Sequence, residues 1–231
     1  MEWSRTGWAD PAAVAELPAW LRPVADLAAS VRAEDLTRFV PPHGEGRHSA
    51  VLVLFSDDRD LLLIQRASTM RAHAGQPALP GGAVDPGDAD AAAAALREAK
   101  EETGLDPDGV RVFGALPDLW VPVTNFVVTP VLGHWQRPVP VFAMDPAEVS
   151  SVHRVPIADL VAPANRCQVR HPSGFVGPAF AVQGLLVWGF TAGLVSGLLD
   201  RLGWALPWDQ TRVIPLEPDG SDVLDAGGGA P

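Results

Sequence analysis

Arg97, Glu98, Glu101 and Glu102 fall in the last turn and a half of an Ala-rich helix predicted over 89–103. Side chains three and four apart share one face of a helix, so Glu98, Glu101 and Glu102 converge on a single patch. The patch is costly where it stands. The C-terminal pole of a helix carries partial negative charge, and each acid placed there loses about 0.3–1 kcal/mol, with like-charge repulsion added. Arg97 and Lys100 offset part of this, and the remaining excess calls for a cation. An all-oxygen donor set without thiolates suits Mg²⁺ or Mn²⁺. The same residues also fit a solvated charged face on which Arg97 and Glu101 form an ordinary i,i+4 ion pair.

The elements around the helix bear on that choice. Gly81 and Gly82 let a ligand approach the main chain closely. Asp88 is expected to cap the start of the helix and Gly104 to close its end. A backbone-rich turn is thereby tied to the acids by a short rigid helix, an arrangement that a metal-bridged diphosphate would fit. Upstream, apolar runs from Ala50 and from Leu61, separated by Asp57-Asp58-Arg59-Asp60, read as a hairpin, and a long loop covers 67–82. Downstream, strands are expected at 110–116, 126–135 and 151–155, then a helical turn after Pro156 and a helix over 181–202. On that last helix Gly189, Gly193 and Gly197 form a stripe suited to close packing. Residues 11–39 read as helix broken at Pro18 and Pro23. Strands interleaved with helices give an α/β class.

The residues from Gly82 onward resemble the Nudix box. Gly82, Asp88, Arg97-Glu98, Ala99, Glu101-Glu102, Gly104 and Leu105 match it in order. Asp88 stands where the general pattern has Glu, and eight residues rather than seven separate it from Arg97. A second stretch, LLIQRASTMRAHAGQPALPGG from Leu62 to Gly82, is similar to the additional motif of the coenzyme A pyrophosphatases within that family. Arg66, Ala67, Arg71, His73, Gly75, Gln76, Pro80, Gly81 and Gly82 align with it, while Leu79 replaces the usual Phe and Pro77 sits where an aliphatic residue is common.

The resemblance implies an α/β/α sandwich with a central mixed sheet. It implies metal-dependent hydrolysis of the diphosphate of coenzyme A or acyl-coenzyme A, giving 3′,5′-ADP and 4′-phosphopantetheine or its acyl form. Glu98 and Glu102 are the expected Mg²⁺ or Mn²⁺ ligands, with Glu101 a ligand or water-orienting base and the Gly81 carbonyl an additional ligand. Arg97 is expected to hold the carboxylates. Arg66 and Arg71 are the natural phosphate partners, because guanidinium forks match phosphate oxygens; each could instead be a surface residue. His73, Gln76 and Gly82 complete the expected substrate contacts. Asp88 could assist at the metal or serve only as the cap. Glu148 could supply a further ligand or base, or be an exposed acid at a helix start. Hydrolysis of another nucleoside diphosphate derivative, such as ADP-ribose or a dinucleotide, is the enzymatic rival. A non-catalytic ligand-binding module is the other.

The 231 residues suit one domain, divided as a helical extension and linker over 1–45, a Nudix domain over 46–216 and a mobile tail over 217–231. An apolar fraction of 47% is enough to fill a core. A net charge of −11 without a basic stripe argues against a nucleic-acid surface and leaves local arginines and metal to attract an anionic nucleotide substrate. Cys167 is the only cysteine, which excludes an intrachain disulfide and favours a reducing, cytoplasmic setting; it reads as a small buried residue rather than a nucleophile. The N-terminal segment has acids and prolines and does not read as a signal peptide. The run from Phe180 to Leu199 is interrupted by polar residues and glycines, so no membrane span is expected. A homodimer is left open.

Overall fold

The computed structural model describes residues 7–37, 39, 46–69 and 74–216. The chain gathers into two compact units, Met1–Leu62 with Leu79–Met144, and Leu63–Ala78 with Asp145–Pro231.

In the first unit, β1 (Trp8–Ala9) is followed by helices α1 (Pro11–Ala15), α2 (Arg22–Ser30) and α3 (Ala33–Leu36). The expected helix over 11–39 is thus three short ones, and Pro11 and Pro23 sit in first turns, where a missing N–H costs nothing. β2 (Arg47–Ser56) leads into β3 (Asp60–Arg66) through the expected hairpin turn. β5 (Gly81–Ala83), α4 (Ala91–Thr103), β6 (Val110–Ala115), β7 (Leu119–Val121) and β8 (Phe126–Trp135) follow. β2 and β8 run parallel, in register from Arg47 opposite Phe126 to Ser56 opposite Trp135. β6 and β7 pair with β8, β5 with β2 and β1 with β6, all antiparallel, so the sheet is mixed.

β2 is apolar on nearly every position because both of its faces are covered: Leu52, Val53, Leu54 and Phe55 are all buried. Helix α4 packs on β2 and β5 through Ala94, Ala95 and Ala99, and these small side chains allow close approach. Gly104 ends α4 in the left-handed conformation, with φ 70° and its N–H on the Lys100 carbonyl, as expected of a helix-closing glycine.

The second unit contains the end of β3 with β4 (Pro77–Ala78) and β9 (Val149–Pro156), α5 (Ile157–Val161), and a four-stranded sheet. That sheet is ordered β12 (Leu185–Val187), β11 (Val176–Val182), β10 (Arg166–Arg170), β13 (Val213–Pro215). The expected loop over 67–82 therefore contains two short strands. Helix α6 covers only Gly189–Arg201, not 181–202. Gln183 and Gly184, at φ 51° and 77°, form a two-residue turn of the kind that joins antiparallel strands, so 181–187 is hairpin. Gly189 and Gly193 of the stripe do not serve close packing either. A Cβ at Gly189 or Gly193 would meet nothing within 4 Å, whereas Leu194, Val195 and Leu198 are buried. Among the described residues, no helix is long and apolar enough to cross a membrane.

Arg166 is a feature that charge-based sequence reading passes over. It is 1% exposed, with its guanidinium carbon 4.8 Å from the ring centres of both Phe180 and Trp208, and it donates to Ser196 Oγ at 2.7 Å. Burial lowers its pKa from the ordinary arginine value.

Cys167 is wholly buried with Val169, Ala179, Leu186 and Leu216, and burial pushes its thiol up. A polar hydroxyl without a partner in such a core costs about 1–3 kcal/mol, so Cys167→Ser should lower stability in urea denaturation by that amount. Cys167→Ala should lose less, and neither should alter turnover. A turnover collapse in Cys167→Ala with the fold intact would restore the nucleophile reading.

Candidate functional site

The carboxylates of the predicted patch are gathered around one guanidinium. Arg97 Nε and Nη2 each donate to Asp88 at 3.1 Å, one to each oxygen. Its Nη1 donates to Glu98 Oε1 at 3.0 Å and Glu101 Oε2 at 3.1 Å, and Nη2 also reaches the Ala83 carbonyl at 3.1 Å. Asp85 stands 3.7 Å from Nη2. The i,i+4 pair of Arg97 and Glu101 is present, but as one contact among five groups rather than an isolated surface bridge.

The expectation that Asp88 caps the helix is corrected. Asp90 is the N-cap, accepting from the Ala93 N–H at 2.8 Å, and the helix begins two residues later than expected. Asp88 lies far enough back in the loop to reach Arg97 nine residues on, and its Oδ2 also accepts the Asp85 N–H at 2.8 Å. Both acids have cap chemistry; the one that starts the helix leaves the other free for the fork of the guanidinium.

The glycines act through space they leave empty. A Cβ at Gly82 would collide with the carboxyl carbon and both oxygens of Glu98, so that carboxylate occupies the position of a missing side chain. Gly81 donates its N–H to Glu102 Oε2 at 2.9 Å, and its φ of 154° with backbone of Ala50 close by admits no other residue comfortably. Glu102 is buried, Glu98 half-buried, and the Glu101 side chain is 60% exposed.

These positions set the electrostatics. The hydrogen bond from Arg97 holds the Asp88 carboxyl below its ordinary value, and Asp88 in turn raises Arg97 further above the arginine range. Glu98 goes the other way. Burial raises its pKa, and the opposing contributions of Arg97 are not enough to reverse that. Glu98 is therefore a partly desolvated carboxylate whose charge is undercompensated.

Among the described residues, no three His, Cys, Asp or Glu side chains already converge on a point that would hold an ion. Glu98 and Glu101 are turned onto Arg97, and Glu102 onto the Gly81 N–H. The donor chemistry nonetheless fits a hard divalent cation: three carboxylates on one helical turn and a half, one of them desolvated and short of positive charge.

Of the expected substrate contacts, Arg71 and His73 lie outside the described residues. Arg66 ends β3, its main-chain N–H on the Gln76 carbonyl at 3.1 Å, and its side-chain Nε is buried without a hydrogen-bond partner among the described residues. Glu148 sits in a turn ahead of β9, not at a helix start; its carbonyl accepts the Ala67 N–H at 2.8 Å. Arg66, Gln76 and Glu148 belong to the second unit, and the acid cluster to the first.

A mixed sheet here carries a helix whose acids face a glycine turn. The NUDIX domain family matches residues 46–172. The uncharacterized Nudix hydrolase NudL of Cronobacter sakazakii is 42% identical over 166 residues, which cover 68% of this chain and 83% of that protein. NudL of Escherichia coli K12 is 40% identical over the same shares. A MutT/nudix family protein of known structure from Enterococcus faecalis is 19% identical, with 72% of this chain and 65% of that one covered and a TM-score of 0.45. The chain belongs to the Nudix family. It has the Nudix α/β fold and is a pyrophosphohydrolase of nucleoside diphosphate derivatives, a class that generally uses divalent metals such as Mg²⁺ or Mn²⁺.

Two expected outcomes separate the cap from the clamp. Losing an N-cap costs about 0.5–2 kcal/mol, so Asp90→Ala should lower stability by that much in urea while sparing hydrolysis. Asp88→Ala should depress hydrolysis by freeing Arg97; equal activity in both variants would contradict the assignment.

A pH profile tests the desolvated acid. Because its folded-state pKa lies above the ordinary 4.5, Glu98 contributes stability that is complete below that value and lost as pH rises through the raised one. In chelator at neutral pH, Glu98→Gln should therefore melt above wild type, the gap closing on acidification. A variant less stable than wild type at neutral pH would contradict this.

Proposed function

We propose that the protein hydrolyses the diphosphate of coenzyme A or an acyl-coenzyme A to 3′,5′-ADP and 4′-phosphopantetheine or its acyl form. The observation that carries the reading is the Arg97-centred carboxylate cluster, joined in one chain to the Leu62–Gly82 motif. Support for the substrate comes from that motif and from Arg66, whose buried Nε has no hydrogen-bond partner among the described residues and suits a phosphate oxygen. The division into an extension over 1–45, a catalytic domain over 46–216 and a tail over 217–231 goes with this reading, as does a cytoplasmic setting for the single buried thiol.

In this scheme Glu98, Glu102 and Glu101, with the Gly81 carbonyl, hold Mg²⁺ or Mn²⁺. When bound, the cation supplies neutralisation of the diphosphate and a lowered pKa for a coordinated water. Arg97 keeps the acids in place and limits the repulsion among them. Glu101, largely exposed and accepting a hydrogen bond from Arg97, is the acid best placed to orient water or take its proton. Arg66, Arg71, His73 and Gln76 grip the nucleotide, and Gly82 leaves room for Glu98.

Chromatography of the nucleotide products from coenzyme A, 3′-dephospho-coenzyme A, ADP-ribose and NADH, with and without Mg²⁺, tests the scheme. Coenzyme A should be preferred and Mg²⁺ required. Glu98→Gln and Glu102→Gln should cut turnover by orders of magnitude. Charge-assisted hydrogen bonds contribute about 1.5–3 kcal/mol, so Arg66→Ala should lower kcat/KM for coenzyme A roughly 10- to 150-fold. Preference for ADP-ribose would move the assignment to another nucleoside diphosphate, and metal-independent inactivity on every substrate would favour a binding module.

A further inference from the structure

The acid helix ends beneath two large apolar side chains that are half or more exposed. Phe142 donates its N–H to the Thr103 carbonyl at 3.0 Å and Met144 donates to the Glu102 carbonyl at 3.2 Å. These are last-turn carbonyls that would otherwise lack partners, so the segment is fixed to the end of α4 by its backbone. Residues two apart in an extended chain point to the same side, and both side chains lie over Gly104. A Cβ there would stand 3.0 Å from Met144 Sδ and 3.9 Å from Phe142 Cζ. Yet Phe142 is 59% exposed and Met144 50%. The fold thus pins an apolar patch within one turn of Glu101 and Glu102 and leaves it in water.

We propose that Phe142 and Met144 form the subsite for the alkyl chain of the acyl group in an acyl-coenzyme A, a substrate of the reading above, on which this inference rests. Three features favour an alkyl chain over a nucleobase. The patch is open on one side, and Phe142 has no aromatic partner among the described residues to complete a stack. Neither side chain brings a polar group to read a base edge. A thioether beside a ring adapts to a flexible chain more readily than to a planar one. Gly104 keeps the floor of the patch clear, since any side chain there would press on the Met144 sulfur.

The test compares coenzyme A with its butyryl, octanoyl and lauroyl thioesters in wild type and in the double variant Phe142→Ser, Met144→Ser. Both substitutions keep the backbone hydrogen bonds and lie at exposed positions. Wild-type kcat/KM should rise with chain length, bounded by about fourfold per methylene at full burial. The double variant should flatten that rise and leave coenzyme A itself unchanged. Two results overturn the subsite while sparing the proposed activity: a wild type indifferent to chain length, or a variant that loses equally on all four substrates. Failure to cleave any of them overturns both. Sedimentation of the two proteins closes the remaining route: a wild-type dimer that the double variant converts to monomer would assign the patch to self-association.

Discussion

One guanidinium organises this molecule's chemistry. Arg97 binds Asp88 with both arms of its fork, reaches Glu98 and Glu101 on its own helix, and takes the Ala83 carbonyl from β5. It thereby joins strand, loop and helix at the point where helix polarity and acid repulsion would push them apart. The consequences are unequal. Asp88 is held ionised by a bond to both its oxygens, while Glu98, drawn into the space over Gly82, is left with more desolvation than compensation. A cation arriving at the cluster would supply what Glu98 lacks.

Everything near Arg97 serves to keep that geometry short-ranged. The alanine face of α4 brings the helix close to β2 and β5, so backbone and carboxylate meet directly: Gly81 N–H on Glu102, and Gly82 beneath Glu98. Asp90 begins the helix, Gly104 ends it, and the N–H groups of Phe142 and Met144 occupy carbonyls at its end. A thirteen-residue helix fixed at both ends has little freedom to splay its acids.

Much of this was legible in the order of residues. Helical periodicity alone put Glu98, Glu101 and Glu102 on one patch, and the charged turn at 57–60 between apolar runs marked the hairpin. Sequence was silent where the decision belongs to tertiary contacts. Asp88 and Asp90 have identical cap chemistry, and only the reach of Arg97 separates them. The apolar run from Phe180 suits the helix expected over 181–202, and only the left-handed Gln183-Gly184 pair turns its first part into a hairpin. Arg166 looks like a surface charge until Phe180 and Trp208 enclose it. Phe142 and Met144 look like core until the backbone hydrogen bonds hold them outside it.

The central claim is that the cluster held by Arg97 is a cation site whose affinity comes from Glu98 and Glu102. Electron paramagnetic resonance of Mn²⁺ titrated into the protein without substrate measures this directly, free of any assumption about turnover. Wild type should bind the ion at a single tight site, and Glu98→Gln or Glu102→Gln should weaken it at least about tenfold, since each removes a charged oxygen ligand. Mn²⁺ bound equally by wild type and both variants would contradict the account and leave Arg97 as the hub of a purely structural ion-pair network.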